Sequence, residues 1–430
     1  MGNINGLFDD PSENVQWMWN AAANPFSKTS TPDWRLYSDI ENMIIEKALQ
    51  SNEKQAMLDD YYIDILSRTQ ISLHNKRKQR PVRRVVHKRD DEPIREDRYL
   101  CNPVLPDRPF AGQYGFISPF IKETVKYLNL SRDQLPSKDE SQVSKLVMQA
   151  AQGIIEEGKQ VNRQREADAL TRKLLEKKDA GMKEVWRCCA YIYTMNTFLY
   201  RILNDTLRLI GTKEHEEKWR SKIKTLGPFC LLLWDNPFNN KILEPGTKLY
   251  RGVKLSDEFI KFFKKDSLRR PKVWRTFQAF TSCSRVRSVA QKFPRANVLF
   301  IMTADIVFTA DLSEISRYPK EAEELIFPGV SFTIDNVEYD QDIEKHIIEL
   351  TLRQKHNSKL TMTVSNRENN MIVHLGSDHD QITPSSNDQA VDVDKEAKDK
   401  FESLITCSLL SISYQVRVKF CCINIEFNLA

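Results

Sequence analysis

Three short pieces of this 430-residue chain carry residue types that chemistry can use. The first is Leu249-Tyr250-Arg251-Gly252-Val253, an arginine in a strand-like run followed by glycine. The second is Phe280-Thr281-Ser282-Cys283-Ser284, with Ala290 and Phe293 in a helix start after it. The third is Glu321-Ala322-Glu323-Glu324-Leu325-Ile326-Phe327-Pro328-Gly329, leading to Phe332. A guanidinium offers planar, permanently charged donors that suit phosphate oxygens. Carboxylates can stabilise positive charge on a sugar ring. Singly, each piece also has a plainer reading: a charge beside a turn, serines capping a helix, a solvated acidic patch. Cys283 is a poor candidate nucleophile, because no histidine base stands at a matching place.

These pieces need strands to hold them, and the apolar pattern supplies strands only in the second half. From Phe116 to about Leu226 helical spacing dominates. In Gln142 to Lys178, the residues Val143, Leu146, Val147, Ala150, Ile154 and Ile155 recur at three-to-four intervals. Val185 to Ile210 repeats the pattern with more aromatics. After Phe238 the period shortens, and Lys248–Val253, Ala279–Ser282, Val298–Thr303, Glu324–Phe327 and Ser331–Val337 read as short strands. Helices first and strands second predict an α+β domain rather than alternating βαβ units. Ser358 to Lys400 is polar and predicts no fixed fold, most clearly from Gly376 to Asp394. Tyr414–Phe427 alternates weakly as a strand would, within a last segment, Phe401 to Ala430, that receives no role. No internal repeat is visible.

Length and composition set the outer limits. At 430 residues there is room for two or three domains, since single cores seldom exceed roughly 250 residues. Hydrophobic residues at 40% and charged residues at 29% are ordinary for a globular protein. A net charge of +5 is small for this length and does not argue for a nucleic-acid binder, so direct nucleic-acid binding is not expected. The run Lys76-Arg77-Lys78 alone fits a nuclear signal or a nucleic-acid patch equally well. The longest apolar run, Phe229 to Trp234, is far short of the roughly 18 residues of a membrane span, and no membrane partner is expected. The first ten residues lack the basic and apolar regions of a secretory signal, and Gly6 weakens a myristoylation reading of Gly2. The eight cysteines form no CxxC pair, so no metal site is expected and reduced thiols are the better reading. An intracellular protein, cytoplasmic or nuclear, is the expectation.

Together and in this order, the three pieces resemble the arginine–serine–glutamate class of mono-ADP-ribosyltransferases, which includes vertebrate arginine-specific enzymes and clostridial binary toxins. The resemblance extends upstream through Ile192-Tyr193-Thr194 and Phe198 to Arg208, and downstream to Phe332, covering about Phe116 to Leu352. It implies that Tyr250 to Phe332 builds a pocket for NAD, a co-substrate rather than a permanently bound cofactor. Arg251 would meet the pyrophosphate, and Gly252 would present backbone groups to the nicotinamide amide. Ser282 would hold the nicotinamide ribose, and Glu323 would bond the ribose hydroxyl and stabilise the oxocarbenium-like cation. Glu321 would choose the acceptor, because a carboxylate can take a guanidinium bidentately. Ser316, Arg317, Tyr318 and Pro319 would form the acceptor loop, with Tyr318 stacking on the incoming side chain. One departure stands out: Cys283 occupies the middle of the family's Ser-Thr-Ser, and a threonine, Thr281, stands one place before that motif instead. The polymer-forming class carries His and Tyr where Arg251 and Ser282 stand, which makes polymer synthesis an unexpected activity here.

Further upstream, Trp17, Trp19 and Trp34, then Glu46, then Tyr61, Gln70 and Arg80 resemble a WWE domain, a small half-barrel of strands around one helix, here Ser38 to Gln50. Trp19 and Trp34 are expected in its core. The resemblance implies binding of ADP-ribose or poly-ADP-ribose, with Tyr37 and Tyr61 flanking adenine and ribose, Gln70 bonding the base or ribose, and Arg80 meeting phosphate. The sequence reading is therefore an α+β chain with a WWE half-barrel at 14–88 and a linker at 89–112. An ADP-ribosyltransferase domain with a helical lobe and a mixed two-sheet core follows at 113–355, then a disordered linker at 356–400 and a C-terminal segment at 401–430. The expected activity is transfer of ADP-ribose from NAD to protein arginines, with ADP-ribosylated proteins as further partners. NAD hydrolysis and an inactive ADP-ribose-binding adaptor are the alternatives.

Overall fold

A computed structural model describes residues 15–27, 29, 31–87, 117–238, 243–305 and 307–354, and the backbone of four strands beyond them. The predicted linker at 89–112 and residues 377–413 lie outside the described residues.

The chain begins with six strands, β1 Val15–Asn20, β2 Trp34–Leu36, β3 Gln55–Met57, β4 Tyr61–Asp64, β5 Thr69–Ser72 and β6 Gln79–Val86. They form an antiparallel sheet in the order β2-β1-β6-β5-β4-β3 around the helix α1, Asp39–Gln50. Ser38 begins that helix through a reciprocal capping box with Glu41, satisfying backbone donors that no helical carbonyl can reach. The core tryptophan is Trp17, at 1% exposure; Trp19 and Trp34 are only half-buried, contrary to the sequence expectation. Register explains the difference: side chains alternate along β1, so Trp17 and Trp19 share a face, but only Trp17 lies beneath α1. Its indole Nε1 donates to Glu46 Oε2 at 2.9 Å, and Arg84 grips the same carboxylate at 2.8 and 2.9 Å.

A helical lobe follows: α2 Pro119–Tyr127, α3 Val143–Gln160, α4 Gln164–Leu175, α5 Met182–Thr194, α6 Phe198–Arg208, α7 Glu216–Ser221 and α8 Ile223–Trp234. Both long helical runs expected from the sequence are broken. The first stops at Asn162, whose φ of 55° leaves the helical region, as short amide side chains tolerate at helix ends. The second stops at Met195-Asn196-Thr197, which makes a corner between α5 and α6. Ile154, Leu170, Val185, Leu203 and Leu231 are fully buried in the common core.

The last part of this unit is a mixed sheet of β7 Lys248–Val253, β8 Arg275–Thr276, β9 Thr281–Ser284, β10 Val298–Ala304, β11 Thr309–Asp311, β12 Glu323–Ile326, β13 Ser331–Asp340 and β14 Lys345–Arg353. Two further helices, α9 Asp257–Ser267 and α10 Arg287–Gln291, lie between its strands in sequence. The order is β11-β12-β9-β7-β10-β14-β13-β8, with only β10 and β14 parallel. β7 and β9 meet at the single pair Tyr250 and Ser284. The mixed core that the sequence predicts is present, as one eight-stranded sheet rather than two sheets. Strand limits differ from expectation by one to three residues: β9 begins at Thr281, β12 at Glu323, and β13 runs on to Asp340. All four residues of β9 and of β12 are buried, so neither shows the alternation that marks a half-exposed strand.

Residues 356–430 form a separate unit. Its strands β15 Thr361–Arg367, β16 Asn370–Gly376, β17 Tyr414–Phe420 and β18 Ile423–Leu429 pair in that order. The first two fall in the polar stretch for which composition predicts no fixed fold; Thr361, Thr363, Val364, Ile372 and Val373 supply β-branched residues that suit a strand. The weakly alternating run at the C-terminus becomes two strands rather than one.

Candidate active site

Cross-strand register gathers the predicted residues. Arg251, 6% exposed, lies on β7, and its Nη1 donates to the carbonyl of Ser282 on β9. β12 pairs with β9 so that Glu323 stands opposite Ser284 and Leu325 opposite Ser282. Glu321 and Glu323 are both buried, at 2% and 0%. Between them Ala322 adopts φ 43°, ψ 52°, a left-handed conformation costing a non-glycine residue about 1 kcal/mol. That turn ends the short 3-10 helix Pro319–Glu321 and lets β12 start at once with Glu323. Ser284 Oγ donates to the carbonyl of Glu321 at 2.7 Å, tying the glutamate turn to β9. Ser282 Oγ is buried and, among the described residues, has no hydrogen-bond partner. A buried hydroxyl in that condition is costly unless a substrate engages it.

Beside these residues opens a cleft walled by Arg251, Phe277, Thr281, Phe300 and Phe332, with Arg208 and Arg275 as further cations. Arg251 is the one predicted catalytic residue in its walls; Ser282, Glu321 and Glu323 are packed on the neighbouring strand pair. Phe332, expected only as part of a closing strand, stacks on Phe277 with ring centroids 4.6 Å apart.

A family model described as NAD:arginine ADP-ribosyltransferase matches residues 133–358, more than half of the chain. The chain belongs to this family. A WWE domain model matches residues 15–84. Among solved structures, the ADP-ribosyltransferase HopU1 of Pseudomonas syringae pv. Tomato is 22% identical, over 43% of this chain and 83% of that one, with a TM-score of 0.31. The type III effector XopAI from Xanthomonas axonopodis pv. citri is 14% identical, over 55% and 94%, with a TM-score of 0.36. Exoenzyme S from Pseudomonas aeruginosa, solved with human 14-3-3 protein beta and Carba-NAD, is 17% identical, over 48% and 88%, with a TM-score of 0.31. No curated relative matches the chain. The protein is an ADP-ribosyltransferase that uses NAD as its co-substrate.

Within this ADP-ribosyltransferase, packing defines the surroundings of three more residues. Gly252 is required by packing: a Cβ there would lie 2.5 Å from the Ala290 carbonyl and 2.6 Å from the Phe293 ring. The glycine admits the helix after β9. Tyr318 is not a free surface ring; it is 8% exposed and its hydroxyl donates to Asp39 Oδ1 of the WWE module at 2.5 Å. Cys283 is fully buried, its thiol donating to the Glu324 carbonyl at 3.1 Å. Burial, and then the Glu324 carboxylate, push that thiol well above its ordinary range, so a thiolate nucleophile is excluded there. Glu324 itself turns away from the pair and takes Arg285 at 2.6 Å. Sequence reasoning missed Ser284 as a tether of Glu321; the only available signal was its place two residues after Ser282.

In the WWE module, Gln70 and Arg80 are cross-strand partners, and the Tyr37 hydroxyl donates to Gln70 Oε1 at 2.5 Å. Tyr61 lies close enough to Tyr37 to influence its ionisation. The four residues are therefore neighbours, but Tyr37 and Gln70 are buried, and of the four only Tyr61 is an exposed ring. Arg80 donates to the carbonyls of Asn20 and Ala22 and stacks 5.4 Å from the Trp19 ring centroid.

Proposed function

We propose that the protein transfers ADP-ribose from NAD to arginine side chains of proteins. The bond between nicotinamide and the ribose C1′ breaks, and nicotinamide leaves with the electron pair. A guanidinium nitrogen of the acceptor forms the new bond to the same carbon, and its proton departs through Glu321. Glu323 stabilises the cationic ribose, Arg251 meets the pyrophosphate and Ser282 holds the ribose.

The observation that carries this reading is the pair of buried glutamates flanking Ala322, tied by Ser284 to the strand on which Arg251 rests. Carboxylates act most strongly on a developing cation where water is excluded. The orphaned hydroxyl of Ser282 supports a ribose contact. The test is transfer of labelled ADP-ribose to agmatine. Wild type should label agmatine, Glu323→Ala should lose about 10²–10³ in rate, and Glu321→Gln should lose arginine transfer while still releasing nicotinamide. Free ADP-ribose without labelled agmatine would make the protein an NAD hydrolase; full transfer by Glu323→Ala would remove Glu323 from the chemistry.

The same reading assigns the WWE module, at about 14–88, to binding ADP-ribose or poly-ADP-ribose. Its support is the cluster of Tyr37, Tyr61, Gln70 and Arg80, with Tyr61 as the exposed stacking surface. Calorimetry with ADP-ribose, on wild type and Tyr61→Ala, decides it; base stacking on one ring is worth roughly 1–3 kcal/mol.

A further inference from the structure

Helix α1 of the WWE module points its N-terminus at the transferase. Asp39, its first residue, is 5% exposed, and both carboxylate oxygens are engaged across the domain boundary. Oδ1 accepts from the Tyr318 hydroxyl and Oδ2 from the backbone N–H of Asn196 at 2.7 Å. The Asp39 N–H in turn donates to the Asn196 carbonyl at 3.2 Å. Asn196 belongs to the corner between α5 and α6, and Thr194 beside it accepts from the N–H of Arg317 at 3.1 Å. Arg317 and Tyr318 are thus held from two sides by one surface, which the WWE helix completes.

This surface reaches the glutamate pair through a short path. The Glu321 N–H donates to the Tyr318 carbonyl, the Ala322 N–H donates to that of Pro319, and Glu323 follows directly. Only Pro319 and Lys320, within one 3-10 turn, separate Tyr318 from Glu321, so a displacement at one end is carried to the other.

We propose that Asp39 is a positioning residue for transfer: acting through the Tyr318 hydroxyl, it holds Glu321 where an acceptor guanidinium can be taken. The inference rests on the arginine-transfer reading, and it gives the WWE module a direct structural part in acceptor use. A phenol bonded to a buried carboxylate is a charge-assisted hydrogen bond, of the stronger kind. Loss of one such bond corresponds to about a tenfold effect on whichever step depends on it.

The test uses the full chain with labelled NAD, and reads agmatine labelling and free ADP-ribose in the same reaction. Tyr318→Phe keeps the ring and removes only the hydroxyl, so a stacking role for the ring would survive it. The expected result is a fall of about tenfold in the ratio of transfer to hydrolysis, with a raised KM for agmatine. Asp39→Ala should lower the ratio at least as far, because it also frees the Asn196 N–H, and keep the KM for NAD within about twofold. In the Tyr318→Phe background its effect should be smaller than in wild type, because the two changes share the Tyr318 link. A wild-type ratio in Tyr318→Phe overturns the proposal, as does an equal fall in both reactions. A fall in Tyr318→Phe but not in folded Asp39→Ala overturns it too, since the hydroxyl would then act without Asp39. Should Asp39→Ala fail to fold, as a thermal melt would reveal, Tyr318→Phe decides alone. If wild type labels no agmatine, the function reading and this inference fall together. If wild type labels it and Glu321→Gln does not, an unaffected Tyr318→Phe sinks the inference only.

Discussion

Ser284 Oγ donates a 2.7 Å hydrogen bond to the backbone carbonyl of Glu321, so the residue read as the acceptor carboxylate is fixed by a serine on another strand. The tether acts on the backbone and leaves the glutamate side chain to its own surroundings. Neighbouring Ala322 is already in a left-handed conformation, and a turn of that kind persists only when its surroundings hold it.

Removing the tether should therefore disturb placement more than chemistry. Ser284→Ala is expected to lower agmatine labelling about fivefold, matching about 1 kcal/mol for a neutral hydrogen bond. Free ADP-ribose release should fall less. Measuring both products from one reaction checks it, and an equal loss in both would show that Ser284 supports the whole site instead.

Gly252 separates a packing role from a ligand role. A Cβ at 2.5 Å from a backbone carbonyl cannot be absorbed by a side-chain rotation. Gly252→Ala should destabilise the fold by about 1–3 kcal/mol, the usual result of overpacking, as read from urea unfolding. A variant of unchanged stability but weakened NAD binding would place the role of this glycine at the ligand instead.

The WWE core depends on one carboxylate serving two donors. Glu46 is 1% exposed and accepts from both Trp17 and Arg84. Glu46→Ala leaves an indole N–H and a guanidinium without their acceptor, so a loss of about 2–4 kcal/mol is expected in chemical denaturation. Glu46→Gln should cost less, because its amide oxygen still serves one donor.

The boundary between the two domains carries a pH dependence. Glu166 is buried there, accepting from Ser38 Oγ at 3.1 Å and from the Phe198 N–H at 2.8 Å, with Glu41 and Arg163 nearby. Burial raises its pKa from 4.5 to about 7, and the Glu41 charge adds to the rise. A carboxyl raised in the folded state binds its proton more tightly there than when unfolded. Its favourable contribution is complete below the unfolded value and is lost as pH rises towards about 7. Thermal midpoints of wild type should fall relative to Glu166→Gln between pH 5 and about 8, since glutamine mimics the protonated acid. Parallel curves for the two proteins would refute the assignment.

Much of this protein was legible before any fold was in view. The ordered pieces around Arg251, Ser282 and Glu321 to Glu323, the change from helical to strand period, and the spaced tryptophans with Glu46 are all local signals. Each depends on residue types a few positions apart, which is the range over which helix, strand and motif preferences act. Strand limits were less legible because β9 and β12 are buried on both faces and lack alternation.

What the tertiary structure alone decided lies in pairings far apart along the chain. It chose Trp17 over Trp19 and Trp34 for the core, because Trp17 packs against α1, where Asn42 and Glu46 receive its backbone and indole N–H groups. It gave Gly252 its reason in Ala290 and Phe293, and it took Tyr318 out of solvent. Asp39 and Tyr318 are separated by 279 residues, and an aspartate at a helix start is also what any helix favours there. Nothing local distinguishes it from a common cap until the WWE sheet, the α5–α6 corner and the acceptor loop close around the same carboxylate.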